Sequence, residues 1–580
     1  MRTSLLSVVW LFIGFNSISH TINWLQKYFN AKSFYTEEKY ALAMEAFKPL
    51  IEEREGNNYS IYSSFYYALA AYKSGFLPLS RNMFSQIKAK YPSWSKIDEG
   101  NFWLGIIHFE EGSYNQALNA LDEIKSASYE QDIRSLKLTY FSKIESLEEL
   151  KNIYSLNEGE ESLAFLLASR ISQETLVNQD RRLLRELIEN FDLEPAQFNL
   201  VDVQETIYKD EYKVAVMLPF MTSDLQPNLK RKVNQFVLDI YQGIQLAIDT
   251  LKSEDIDIKL FAYDTKRSEK ATEALLAKEE LKGMDLIIGP LFPEPIAMVN
   301  DFSYKNKINI INPLSTNSEV IGNNPFSFMF SPSNETIGRS SARFASQYVT
   351  KKPGIILYGN TAGDSAMAMA YKQRIEADSF NIITTKKIKI DSSQSIMDIL
   401  LIPNTKLREA ATEEAKEDYT IGLDSIGHIF VASKDNLISS KVLSAVEIRG
   451  DSIVVIGSAD WLDTQVIKFD VYTKLGCFLY APNYFNRDTD EYVAFRKSYI
   501  LKHKESPTEY AEIGFELMQL MGRGLKEHGK YFQIGWRDKG LVKGHLTTGF
   551  DYRNSNDNLV LPILTFEDGA MKMKLKDEHN

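Results

Sequence analysis

Apolar residues recur at helical spacing through the first third of the chain, and the pattern repeats itself. Ala43, Ser80 and Ala117 stand 37 positions apart, and Phe47, Phe84 and Leu121 keep the same step, as do Leu50, Ile87 and Ile124. A small residue followed by large ones four and seven positions later places all three on one helix face, where the small one lets a second helix approach. Gly75 and Gly112 fall where two helices would turn. From Tyr212 the pattern changes to short apolar runs separated by amphipathic stretches. YKVAVMLPF, IDIKLFAYDT, MDLIIGPLF and INIINPLST read as strands; NQFVLDIYQGIQLAIDTL and EKATEALLAKEELKG read as helices. PGIILYGN, HIFVAS and SIVVIGSAD continue the alternation. Fully apolar strands separated by helices predict parallel sheets covered on both faces, and ligands of such sheets sit beyond the carboxyl ends of the strands.

A chain of 580 residues is too long for one core and should hold two to four domains. With 44% apolar and 25% charged residues it has globular composition. Its net charge of −12 and the lack of a basic stripe argue against a nucleic-acid partner. Arg2, the apolar run from Leu5 to Phe15, and small residues at Ser17 and Ser19 predict a secretory signal cut after Ser19. The membrane is engaged only if that segment stays uncut. Cys477 is the only cysteine, so no intramolecular disulfide is possible and no cysteine cluster can hold a metal, and the exported chain is expected to carry no lipid at its N-terminus. The expected location is the periplasm or cell envelope.

The unit FWLGIIHFEEGSYNQALNALDEI carries Leu104-Gly105, Gly112, Tyr114, Ala117 and Leu121 and resembles a tetratricopeptide repeat. That resemblance implies an α-helical solenoid that binds a protein partner along its concave face. The second half resembles the type I periplasmic-binding-protein fold of the Leu/Ile/Val-binding class. VAVMLPF, LIIGPLF and FSFMFSPSNET match its first lobe, and GIILYGNTAGDSAMAMAYKQRIE and VVIGSADW match its second. The expected organisation is a signal peptide at 1–19, tetratricopeptide-like repeats at 20–200, a linker at 201–211 and a two-lobed α/β domain at 212–580. One lobe is expected at about 212–330 and 482–538, the other at about 331–481 and 539–575. The charged stretch from Ile402 to His428 is expected to be an exposed insertion in the second lobe. Repeats followed by this fold are similar to the Lpo-type activators of penicillin-binding-protein peptidoglycan synthases, with IIGPLFPEPIAMV and MFSPSNETIGRSSARFA as the most similar stretches.

Candidate ligand-binding residues lie at the predicted strand ends. In amino-acid binders of this class the loop after Gly-Pro offers a hydroxyl residue for the ligand carboxylate, whereas this chain has Phe292-Pro293-Glu294. Pro293 removes a donor, and Glu294 would repel an anion by ~1 kcal/mol in water or ~4 kcal/mol at an effective dielectric of ~20. The alternative is a helix start, with Glu294 favouring the helix N-terminus. Ser315 and Thr316 by resemblance bind a ligand's ammonium or hydroxyls; otherwise they cap or turn the chain. Tyr358, Asn360, Asp460 and Trp461 would give the second lobe an aromatic wall and a carboxylate suited to a cationic or sugar-like ligand.

Enzyme signals are lacking. GNTAGDS has neither the lysine nor the spacing of a phosphate-binding loop, no Gly-x-Ser-x-Gly elbow follows a strand, and the seven histidines are scattered. No cofactor or metal is expected. The favoured expectation is a non-enzymatic envelope scaffold, its repeats docking a protein such as a peptidoglycan synthase. The alternative is a solute-binding protein for import of an amino acid or other small molecule, and a hydrolase using cleft carboxylates comes third.

Overall fold

The computed structural model describes residues 24–574 apart from 177, 199–204, 223–233, 352, 402–420, 464–465, 554 and 568–569. The signal segment and most of the charged stretch after Ile402 lie outside them. The chain divides into two compact units, one up to Ile171 with Leu183–Glu194, the other Ser172–Arg182 with Pro195 onward.

The first unit is helical. A helix over 24–36 is followed by Tyr40–Phe47, Ser60–Lys73, Leu77–Lys90, Ile97–Glu110, Tyr114–Asp122, Glu130–Phe141 and Leu147–Ser155. From Tyr40 to Asp122 each helix packs on its neighbour in the chain. The repeated small positions Ala43, Ser80 and Ala117 are fully buried. Ser80 tolerates this because its hydroxyl donates to the Ala68 carbonyl at 2.7 Å. A Cβ on Gly105 would come within 2.6 Å of the Leu121 side chain, so the Leu104-Gly105 pair reflects close helix contact.

The second unit holds two sheets. In the first lobe β1 (Glu211–Leu218), β2 (Asp257–Asp264), β3 (Leu286–Ile288), β4 (Asn309–Asn312) and β5 (Ser327–Met329) are all parallel, in the order β2-β1-β3-β4-β5. The second lobe uses β6 (Pro353–Tyr358), β7 (Asn381–Lys387), β8 (His428–Ala432), β9 (Val454–Ser458) and β10 (Phe478–Tyr480), also parallel. A small ribbon pairs β11 (Leu541–Val542) with β12 (Phe550–Asp551). The last strands, β13 (Ile563–Glu567) and β14 (Ala570–Lys574), extend the second sheet antiparallel beyond β10. One expected helix is broken: Lys278 is extended, so 269–283 forms Glu269–Leu276 and Glu279–Lys282. The first lobe's core also takes in Leu546, Phe550 and Tyr552, although the return to the second lobe is expected from 539. Glu516 holds that segment, its fully buried carboxylate accepting from the backbone N–H groups of His545, Leu546 and Thr547 and from the Thr547 hydroxyl.

Each lobe is built on a helix pair in near contact. In the first, Gln235–Lys252 crosses Glu509–His528 at two facing glycines. A Cβ on Gly243 would lie 2.2 Å from the Ala511 carbonyl oxygen, and one on Gly514 would lie 2.1 Å from that of Ile240. In the second, Asn334–Tyr348 crosses Ala362–Ala377, with Gly338 set against the Met367 carbonyl. Backbone atoms cannot move aside as a flexible side chain can. Gly514→Val is therefore expected to cost at the upper end of the ~1–3 kcal/mol typical of overpacking, read as a lower urea midpoint. An unchanged midpoint would show that the helices are not in contact there.

Candidate functional site

The chain passes between the lobes three times, and each passage starts or ends at the carboxyl edge of a sheet. β5 leaves through Phe330-Ser331-Pro332-Ser333 into helix Asn334–Tyr348; β10 leaves through Ala481-Pro482-Asn483; and Asn556-Asp557-Asn558 leads toward β13, whose Ile563 pairs with Tyr480. The carboxyl edges of both sheets therefore border one gap.

A polar network ties the passages together. Asp557 is fully buried and accepts from the Ser333 N–H (2.9 Å), the Ser333 hydroxyl (2.6 Å) and the Thr336 hydroxyl. Asn556 donates to the carbonyls of Pro325 and Ser327, Asn558 donates to Phe330, and Asn483 donates to the Ser331 hydroxyl. Burial raises the Asp557 carboxyl, the Ser333 and Thr336 hydroxyls oppose it, and the result is a group pushed up to about 6.

The first lobe's edge is a set of ordered loops. Gly289 follows β3 with φ +93, and a Cβ there would lie 2.5 Å from the Met217 carbonyl oxygen, so only glycine fits. The Gly289–Pro290 bond is cis, and the Pro290 carbonyl accepts from the Asn312 amide at 2.7 Å. The Asn312 side-chain oxygen accepts in turn from the N–H groups of Leu314 (3.0 Å) and Ser315 (2.7 Å). Those two donors are thus occupied before any ligand arrives. Ser315 and Thr316 are half-buried, and the Thr316 carbonyl accepts from the N–H of Asn334, the first residue of the second-lobe helix, at 2.9 Å. The Asn334 side chain lies against Gly363 in the first turn of Ala362–Ala377. This chain of contacts brings the Ser315–Thr316 loop beside Asn360 and the start of that helix.

Phe292 is half-buried, with the Arg267 guanidinium 4.1 Å over its ring. Glu294 is exposed in the first turn of Pro293–Asn306 and so matches the helix-start reading. At the end of β2, Asp264 collects the N–H groups of Met221, Thr222 and Lys266 and the Thr222 hydroxyl. Partial burial acts to raise that carboxyl, and these donors outweigh it, holding it below the usual carboxylate range.

On the second lobe Tyr358 ends β6 half-buried and Asn360 is exposed. Asp460 follows β9, accepts from the Ser458 hydroxyl at 3.0 Å and pairs with Lys434 at 2.8 Å. Trp461 requires a correction. It is fully buried, its indole N–H donates to the Ser433 carbonyl at 2.9 Å, and its ring occupies the space over Gly457. It supports the strand ends from within the core and cannot line the gap. Sequence reading missed Lys434, in the loop after β8, and Asp364, in the first turn of helix Ala362–Ala377 after β6. Asp364 gave a signal: Thr361 three residues before it forms a capping box with it. Lys434 gave none. Cys477 is buried and its thiol is pushed up to about 12, which makes it inert. Among the described residues no three His, Cys, Asp or Glu side chains are grouped to hold a metal ion, and no helix is long and apolar enough to cross a membrane.

No protein-family model and no curated protein matches the chain. Solved structures do. An ABC transporter substrate-binding protein from Desulfitobacterium hafniense, in complex with Leu, is 16% identical with a TM-score of 0.41, covering 63% of this chain and 100% of its own. A putative branched-chain amino acid ABC transporter protein from Rhodospirillum rubrum is 13% identical with a TM-score of 0.47, covering 63% and 100%. A solute-binding protein from Rhodopseudomonas palustris BisB5, in complex with 3,4-dihydroxybenzoic acid, is 16% identical with a TM-score of 0.40, covering 64% and 99%. The second unit has a two-lobed α/β fold, and the substrate-binding proteins above are what it is similar to.

The expectation of an envelope scaffold acting on peptidoglycan synthesis is overturned, because these similar structures are substrate-binding proteins of transporters. Its main physical support also weakens: an exposed Glu294 is solvated, so its repulsion of an anion is nearer ~1 than ~4 kcal/mol.

Asp557 has its raised pKa only in the folded state, so its bound proton stabilises the fold. That contribution is fully present below about pH 4, where an unfolded aspartate is protonated, and is lost as pH rises through about 6. Its full size is on the order of 3 kcal/mol. Asp557→Asn removes the titration, so the variant's stability relative to the wild-type chain is expected to rise between about pH 4 and pH 7 in urea unfolding. A difference constant over that range would contradict the buried hinge carboxyl.

Proposed function

We propose that the second unit is a solute-binding module that takes a small polar molecule between its lobes, as an exported component of an import system. The observation that carries this reading is the contact chain Thr316–Asn334–Gly363. It sets the polar loop after β4 against the loop after β6, at the one place where both sheets present carboxyl edges. Ser315 and Thr316 on one side, and Tyr358, Asn360 and Asp460 on the other, are the proposed contacts. Asp460 is free to exchange partners at small cost, because an exposed ion pair such as Lys434–Asp460 is worth ~0–1 kcal/mol. Phe292, backed by Arg267, adds an apolar face. With Leu314 and Ser315 N–H groups already used by Asn312, recognition rests on side-chain hydroxyls, amides and the carboxylate rather than on a backbone anion cradle. The helical unit fits this reading as a tetratricopeptide-like array carrying the binding module.

The test is a thermal-shift screen of the full chain against amino acids, aromatic carboxylates and sugars. A true ligand at ~100 times its Kd is expected to add about 2.7 kcal/mol of stability. Asp460→Ala and Ser315→Ala should each weaken it about tenfold, or ~1.4 kcal/mol. Stabilisation by no member of these classes, or a ligand indifferent to both substitutions, would overturn the reading.

A further inference from the structure

Helix Asp490–His503 in the first lobe has two apolar sides. Tyr492, Phe495 and Tyr499 face inward and are buried in the core. Val493 and Leu501 lie on the outer side and remain 57% and 63% exposed. Spacings of three, four and eight residues put Val493, Arg496, Lys497 and Leu501 along one stripe of a helix. That stripe borders an open pocket of about 620 Å³, within the ~300–1,000 Å³ that single small ligands fill. Its far wall is Pro507 and the first turns of helix Glu509–His528.

The charge of the pocket is unusual for a chain of net charge −12. Arg487, Arg496 and Lys497 line it, with Glu512 as the only acid. Glu512 is buried, accepts from the Tyr492 hydroxyl and is paired with Arg487 at 3.3 Å, so its charge is already answered. Neither Arg496 nor Lys497 makes a salt bridge among the described residues. Two uncompensated cations therefore stand beside exposed Val493 and Leu501. Exposed aliphatic side chains favour burial against an apolar group, and the two cations favour an anion.

We propose that this pocket, separate from the gap between the lobes, binds one molecule of an amphipathic anion: a carboxylate or phosphate head held by Arg496 and Lys497, with an aliphatic chain laid over Val493 and Leu501. The concave, single-molecule size of the pocket commits the proposal to a free amphiphile rather than a membrane surface. The charge at the head is needed for selectivity, since a neutral alcohol of equal chain length leaves both cations without a partner.

The experiment uses the full chain and 11-(dansylamino)undecanoate as a fluorescent probe. The expected result is saturable one-to-one binding, reversed by laurate but not by dodecanol. Arg496→Glu combined with Lys497→Glu should weaken it at least tenfold, and Leu501→Asp should do the same through the chain. All three side chains are exposed, so the melting temperature should stay near wild type. Asp460→Ala should leave probe binding intact, which separates this pocket from the proposed solute site. No saturable binding, equal displacement by dodecanol, indifference to the three substitutions, or association only with phosphatidylglycerol vesicles would each overturn it.

Discussion

The buried Asp557 carboxylate is the constraint on which the second unit depends. Two sheets joined by the 23 residues between Met329 and Pro353 do not by themselves face a common gap; the chain between them has to be held. Asp557 does this by binding the N–H and hydroxyl of Ser333 and the hydroxyl of Thr336, joining the third passage to the first. Asn483 on the Ser331 hydroxyl joins the second. A charge at full burial is tolerated only with such donors, and removing them would leave an unpaired group that costs several kcal/mol. The hinge is thus ordered by polar side chains, while each lobe is ordered by close packing at Gly243–Gly514 or Gly338.

That division of labour explains how the site is built. Rigid cores fix the strand ends, and the loops beyond them are locked by short side-chain bonds: Asn312 to its own loop, Asp264 to the turn after β1, Asp364 to Thr361. What remains exposed at both edges is polar and loosely paired, as in the Lys434–Asp460 contact. Loose pairing at ordered positions is the condition under which a ligand can replace an internal partner without reorganising the backbone.

Much of the fold is legible in the sequence because it is written in local pattern. Apolar runs ending in Gly289-Pro290, Asn312-Pro313 or Ser458 mark the strand ends, and β1 to β4, β6, β8 and β9 lie where the alternation places them. The antiparallel direction of β13 and β14 is not foreseen, since periodicity does not reveal the direction in which a late strand enters a sheet. Trp461 looks like a cleft residue because it follows a strand, but which way an indole turns depends on the space left by Gly457 and the Ser433 carbonyl. Asp557 escapes notice for the same reason: its partners lie more than two hundred positions away in the chain, and nothing in SNDN distinguishes it from an ordinary turn. The envelope-scaffold expectation leaned on the repeat array and on Glu294, and the weight of Glu294 depends on an exposure that sequence does not report.

The central claim is that a solute is held between the two lobes, and the distance between them with and without solute tests it most directly. Spin labels at Glu294→Cys and Leu437→Cys, both exposed and on opposite lobes, can be placed without interference from the buried Cys477. Electron–electron resonance on the labelled full chain, with pooled amino acids and aromatic carboxylates, is predicted to show a shorter and narrower distance distribution than without them. A distribution unchanged at saturating concentrations would contradict the account.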